Sequence, residues 1–312
     1  GESTTNDVDT GIADLRSGEE ASASTDSSSS PDTGADSFAV DMGDAMPSED
    51  SGDVSDGATT ACHLAGLTIT GDPTSALGAR WEYRAEEGGV SYNLAGVLLK
   101  PSTALPAGEK YPAVVLSHAT GGTAIAVAAN QGQRMRGWGL VAISVNLTHA
   151  SEELIPSESP GTLQQDLGAS TVNLQRARKC IDVLASLCDV DMRRVAAHGH
   201  SRGAFVTAGL AGTYPTLFKA ASHTSGGVSD AKNNEGWTNT SQAAGISIPY
   251  QLHHGDLDTT VPLADEQALE AIFIQNGVEH ELWRYSDKGH HIASIPEVTS
   301  RIRAWYVAHG VL

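Results

Sequence analysis

The segment Val195-Ala196-Ala197-His198-Gly199-His200-Ser201-Arg202-Gly203-Ala204 runs from a short apolar stretch through Gly-x-Ser-x-Gly into small residues. A chain of that kind turns sharply from strand to helix and holds the central serine in a strained backbone conformation. Glycines two before and two after it let strand and helix approach closely. The unpaired amides at the helix start then point at the oxygen that reacts there. So placed, Ser201 can attack an acyl carbon, provided a base and an acid stand beside it. With 33 glycines in the chain, the motif alone says little. Its partners give it weight.

An acid is offered by His254-Gly255-Asp256-Leu257-Asp258-Thr259-Thr260-Val261-Pro262, which follows the apolar run Ile248 to Leu252. That position puts a carboxylate at the carboxyl edge of a sheet, where ligands bind. Asp256 and Asp258 compete for the role, and the Val-Pro lip of an inward turn favours Asp258. A base is offered by Tyr285-Ser286-Asp287-Lys288-Gly289-His290-His291, where His290, directly after the glycine, is preferred to His291. The order is serine, acid, histidine, as in a strand–turn–helix nucleophile site. Backbone N–H groups of Arg202 and of Thr120, in the loop Ser117 to Gly122, are the expected oxyanion donors. His118 of that loop is expected to pack beneath it. The pairs His253-His254 and His290-His291 raise the question of a metal, but no His-Glu-x-x-His or Cys-x-x-Cys spacing occurs. Adjacent histidines on a strand point to opposite faces, so no metal and no cofactor is expected.

These groups need a scaffold, and strands alternate with helices along the chain. Strands are predicted at 80–86, 90–99, 114–116, 140–145, 194–198, 218–222, 246–253 and 278–285, with Gly88-Gly89 as a hairpin turn. Helices are predicted at 124–136, 166–187, 202–211, 265–275 and 295–309, the second with Asp166 near its N-terminus. This is an α/β pattern: a mostly parallel central sheet with helices on both faces. Two long loops remain, 149–162 and 225–245. Trp237, in the second, is expected either to line the substrate site as an aromatic surface or to anchor that loop.

Before this domain lies a stretch unlike it. Residues 1 to 60 hold 15 acidic residues, one basic residue (Arg16) and one aromatic (Phe38). So little apolar surface cannot offset the entropy of ordering, so residues 1–61 are expected to be a disordered acidic tail ahead of a catalytic domain at 62–312. The remainder carries 23 acids against 18 bases, so most of the net charge of −19 belongs to the tail. No basic patch stands out, which argues against nucleic acid, and no apolar run reaches the roughly 20 residues of a membrane span. A Ser/Gly/Asp tether ahead of a compact domain fits an exported protein, secreted or held at the envelope, acting as a monomer. Of three cysteines, Cys180 and Cys188 would lie about 12 Å apart on one helix, too far for a disulfide. Cys62 pairs with either, or the thiols are free.

Taken together, residues 80 to 310 resemble the dienelactone-hydrolase-like branch of the α/β-hydrolases, whose relatives include cutinase-type polyester hydrolases. The resemblance is carried by Ser117 to Gly122, Gly199 to Gly203, the His-Gly-x-x-Asp-x-x-Val-Pro pattern at 254–262, and Gly289-His290. Ala119 stands where such relatives usually have glycine, and Arg202 where polyesterases carry an apolar residue. The resemblance implies an α/β-hydrolase fold and cofactor-free hydrolysis of carboxylic esters, small or polymeric. A prolyl-oligopeptidase-like peptidase shares the acid and base motifs, but its propeller-sized N-terminal domain has no counterpart in this sequence. A binding module on an inactive scaffold is the other alternative, and an intact Ser, Asp and His set speaks against it.

Overall fold

A computed structural model describes residues 62–151 and 167–312. The acidic tail, Asp166 and most of the 149–162 loop lie outside the described residues. Among the described residues nine strands form one sheet. β1 (Leu67–Thr70), β2 (Ala79–Glu87) and β3 (Val90–Leu99) make an antiparallel meander, and β3 pairs antiparallel with β5 (Val141–Val145). Gly88 and Gly89 both take positive φ, 55° and 80°, which the tight turn between β2 and β3 requires and side chains resist. Beyond β5 the sheet is parallel, through β4 (Tyr111–Ser117), β6 (Val190–His200), β7 (Ala220–Thr224), β8 (Tyr250–Gly255) and β9 (His280–Tyr285). The chain leaves β4 to one side for β5 and returns on the other side for β6. The carboxyl ends of β4 and β6 therefore flank a switch point, where an open α/β sheet leaves a crevice for ligands.

Period-2 alternation sorts the buried strands onto two cores. Ala113, Val115, Val195 and Ala197 face one side, with Leu174, Ala177, Ile181 and Leu184 of α3 (Thr171–Ala185). Val206 and Leu210 of α4 (Arg202–Thr213) join them, as do Leu269 and Phe273 of α6 (Leu263–Asn276). Val114, Leu116, Ala142 and Ala196 face the other side, against Met135 and against Val298, Ile302 and Trp305 of α7 (Pro296–Ala308). Helices thus cover both faces, as two-sided apolar strands demand.

Several predicted elements differ in detail. The helix over 124–136 is interrupted: α1 (Ala124–Val127) and α2 (Gln133–Gly137) flank a π turn at Ala128–Gly132. The helix predicted from 166 starts at Thr171, where the Ser170 side chain accepts the Asn173 N–H and so caps it. β7 and β8 begin later than the apolar runs, because Phe218, Ile246 and Ile248 are buried core residues of the approaching loops. Loop 225–245 contains a 3-10 turn at Asp230–Glu235 and a short helix, α5 (Thr240–Ala244), with an Asn239/Gln242 capping box. Cys62 bonds Cys188, and Cys180 is a buried thiol whose pKa burial drives up.

Candidate active site

Ser201 sits between the end of β6 and the start of α4, at φ 56° and ψ −123°, a conformation that non-glycine residues rarely adopt. One hydrogen bond and two close backbone approaches hold it there. Its N–H donates to Thr224 O of β7 at 3.0 Å. A Cβ on Gly199 would stand 2.2 Å from Gly203 O, and one on Gly203 would stand 2.1 Å from Ser117 O. Both glycines of the motif are therefore sterically required, and the second lets α4 press against the end of β4.

The loops that carry Asp258 and His290 are stapled to each other. Asp256 N–H donates to Tyr285 O at 2.9 Å and Leu257 N–H to Lys288 O at 2.9 Å. Gly255 has no room for a side chain, since a Cβ would lie 2.3 Å from Gly289 O. Ser225, also at positive φ (55°), donates its hydroxyl to His290 O at 2.8 Å. From these anchors His290 Nε2 reaches Ser201 Oγ at 2.8 Å, and His290 Nδ1 reaches Asp258 Oδ2 at 2.8 Å. Asp258 Oδ1 accepts the N–H groups of Thr260 and Val261, at 2.8 and 2.9 Å. Burial opposes its charge, but those donors and His290 outweigh burial and hold the carboxyl below its ordinary range. Asp256 instead pairs with Arg284 at 2.8 Å, and His291 is exposed, with its ring 5.3 Å from that of His290.

Sequence reading missed the layer behind the acid. Glu266 of α6 is fully buried and accepts from His223 Nε2 (2.6 Å), His254 Nδ1 (3.0 Å) and Gly226 N (3.0 Å). His254 Nε2 faces Val261 O at 2.9 Å and Asp258 Oδ2 at 3.6 Å. Both ring nitrogens of His254 thus face acceptors, which calls for the doubly protonated ring. Burial works against that charge, yet Glu266 and the Val261 carbonyl raise the pKa of His254 above its ordinary value. Burial likewise opposes the charge on Glu266, and the two histidines outweigh it, lowering its pKa to about 2. The His253 ring, by contrast, is held neutral by burial and sits between Tyr285 Oη and Gln251 Oε1, each at 2.9 Å. The two histidines of the pair therefore serve opposite sides of β8.

The Thr120 hydroxyl accepts Arg202 Nε at 2.7 Å. Arg202 also donates to Glu235 O, so its side chain braces the β4 loop against the 225–245 loop. Among the described residues the backbone N–H groups of Thr120 and Arg202 make no hydrogen bond. His118 is buried under the loop: its Nε2 accepts the Leu147 N–H at 3.0 Å, its Nδ1 donates to Ala119 O, and burial lowers its pKa to about 4. Trp237 is 7% exposed, with its ring tilted against that of Phe205 at 4.1 Å and Lys232 Nζ 4.1 Å over the indole. With Ala169 and Val261 it forms a small cluster, so of its two expected roles the geometry fits the anchor and offers no open aromatic surface.

No curated protein matches the chain. Solved structures do. A provisionally assigned dipeptidyl aminopeptidase IV from Bacteroides ovatus is 18% identical, with TM-score 0.59, over 73% of this chain and 35% of its own. A puromycin-hydrolyzing peptidase from Mycobacterium tuberculosis is 17% identical, with TM-score 0.59, over 73% of this chain and 39% of its own. A provisionally assigned dienelactone hydrolase from Klebsiella pneumoniae is 19% identical, with TM-score 0.56, over 73% of this chain and 98% of its own. The chain thus spans little more than a third of the two peptidases but nearly the whole of the hydrolase, and these likenesses establish the α/β-hydrolase fold. The model of the dienelactone hydrolase family matches residues 95–297, a span that begins in β3 and holds Ser201, Asp258 and His290, and the chain belongs to that family.

Proposed function

We propose that this hydrolase is a serine carboxylic-ester hydrolase acting through an acyl-enzyme. The observation that carries the reading is the unbroken relay from Ser201 Oγ through His290 to Asp258, each step 2.8 Å. Ser201 attacks the ester carbonyl while His290 Nε2 takes its proton, and Asp258 fixes the ring and stabilises the imidazolium. The Arg202 and Thr120 N–H groups receive the negative oxygen, and His290 returns the proton to the leaving alcohol. Water, deprotonated by His290, then releases the acid. No step calls for a cofactor. The natural substrate in this reading is a polymeric or surface-bound ester, and the enzyme works outside the cytoplasm, secreted or envelope-tethered. The Cys62–Cys188 disulfide supports export, since such bonds persist in oxidising compartments.

A matched ester and amide of one acyl group, assayed side by side with wild type and Ser201→Ala, test the reading. Ester turnover exceeding amide turnover by orders of magnitude, abolished in the variant, is expected. Amide cleavage at comparable or greater kcat/KM would assign a peptidase instead.

A further inference from the structure

The Oδ2 atom of Asp258 faces two imidazoles, His290 Nδ1 at 2.8 Å and His254 Nε2 at 3.6 Å. The rings come from different elements: His290 from the loop after β9, His254 from within β8. The side chains of Asp258 and His254 have no exposed surface, so solvent ions screen their contact little. At the other nitrogen of His254 stands Glu266 of α6, 3.0 Å from Nδ1. Glu266, His254, Asp258, His290 and Ser201 thus form one chain, and the Ser-His-Asp relay is only its last three members.

Hydrogen-bond partners say where the protons of this chain lie. Glu266 meets three N–H groups: His223 Nε2 at Oε1, and His254 Nδ1 and the Gly226 amide at Oε2. An ionised carboxylate accepts from all three, whereas a protonated one would turn its proton on a donor. His254 Nε2 has only acceptors before it, the Val261 carbonyl at 2.9 Å and Asp258. Its ring therefore carries a proton on each nitrogen, and its positive charge stands between two carboxylates. His223 Nδ1 faces Tyr250 Oη at 3.0 Å, a hydroxyl able to donate, so that ring needs no second proton.

A buried carboxylate with one imidazole beside it favours the imidazolium strongly. His290 in that state cannot take the Ser201 proton. A second cation on the same oxygen weakens that hold, and it also keeps Asp258 ionised where burial opposes its charge. We propose that His254 is a positioning residue of this site, a fixed cation on Asp258 that sets the pH at which His290 begins to act as a base. The inference rests on the acyl-transfer reading of Ser201 and adds to it what governs the acid limit of the reaction. Two further titratable groups face the chain, His200 of β6 and His291, with rings 5.0 and 5.3 Å from that of His290. His200 adds no charge, because burial and then the neighbouring His290 lower its pKa to about 4, and His291 is exposed.

The acid limb of kcat/KM reports the base of the free enzyme, so its position tests the proposal. Wild type and His254→Gln are compared on p-nitrophenyl acetate across the pH range, with circular dichroism at each pH to confirm the fold. Glutamine keeps an N–H donor and removes the charge. The limb is expected to move up by about one pH unit, so that kcat/KM falls about tenfold on the acid side. A limb that stays in place, whatever happens to the plateau, is the mark of a merely structural residue and overturns the proposal. So does a limb that moves down. If the variant does not fold, nitrogen NMR of the wild-type chain with labelled histidines decides. A ring doubly protonated at neutral pH, with its protons protected from solvent, is expected, and its absence overturns the proposal. Absence of Ser201-dependent ester turnover in wild type overturns both this proposal and the esterase reading. A preference for amides over esters, with the limb still displaced in His254→Gln, overturns the esterase reading alone.

Discussion

Asp256 and Asp258 stand two residues apart on one loop, and their surroundings give them different work. Asp258 is buried against His290, whereas Asp256 forms a half-exposed pair with Arg284. Asp258→Asn is expected to lower kcat/KM on p-nitrophenyl acetate by roughly 10⁴, because the amide favours the wrong imidazole tautomer. Asp256→Asn should cost less than about tenfold, since surface pairs contribute little. The reverse order would move the acid by two residues. That Ser201, Asp258 and His290 come together was legible because each lies beside a glycine or Pro-marked turn at the end of an apolar strand. Glu266 was not, because an acid in the first turn of a helix reads as a solvated helix-dipole partner. The signal that could have found it is its spacing: 266, 269 and 273 share one face, and Leu269 and Phe273 are core. Glu266→Ala leaves the His223 and His254 donors without their carboxylate, and urea unfolding should show a loss of about 3–5 kcal/mol. A change under about 1 kcal/mol would show that the network carries no stability.

At the scale of elements, the sequence foretold the alternation of strands and helices, the hairpin at Gly88-Gly89 and the strand-to-helix turn at Ser201. It did not foretell β1, whose four residues are mostly exposed and so show no core-facing alternation. Nor did it foretell the break at Ala128–Gly132, since small residues alone do not tell an α from a π turn. The starts of β7 and β8 were placed early because buried loop residues such as Ile246 and Ile248 look like strand in a single sequence. Trp237 belongs at this scale too. Its ring contact with Phe205 of α4, beside Val261 of the acid loop, ties the 225–245 segment to two elements of the site. Trp237→Ala is expected to destabilise the fold by about 3–5 kcal/mol, as for other buried aromatic truncations. It should change KM for acetate and for aromatic esters alike. An effect confined to aromatic esters, with thermal stability kept, would place the ring in the substrate site.

For the whole molecule, the buried histidines set how stability responds to pH. Burial lowers the pKa of His118 and His200 to about 4 and of His198 to about 3, against an ordinary value of 6.5. Unfolding lets these rings take up protons, so the unfolded chain binds more of them below pH 6.5, and stability falls as pH drops from there to about 3. Glu266 adds to the fall at lower pH, its stabilisation being lost from about 4.5 down to about 2. His254 has the opposite sign, contributing below 6.5 and losing its contribution as pH rises through its raised value. Urea midpoints are therefore expected to peak near neutrality and decline below about pH 6.5, and a midpoint that rises on acidification to pH 5 would contradict the neutral state of these rings. The central claim, that this molecule transfers acyl groups through Ser201, is tested most directly by intact-protein mass spectrometry of an acid-quenched turnover with p-nitrophenyl acetate. A single acetyl adduct, mapped to the peptide containing Ser201, built up within the first turnovers and absent from Ser201→Ala, is the predicted result. Full turnover with no adduct, or an adduct on another residue that survives Ser201→Ala, would contradict it.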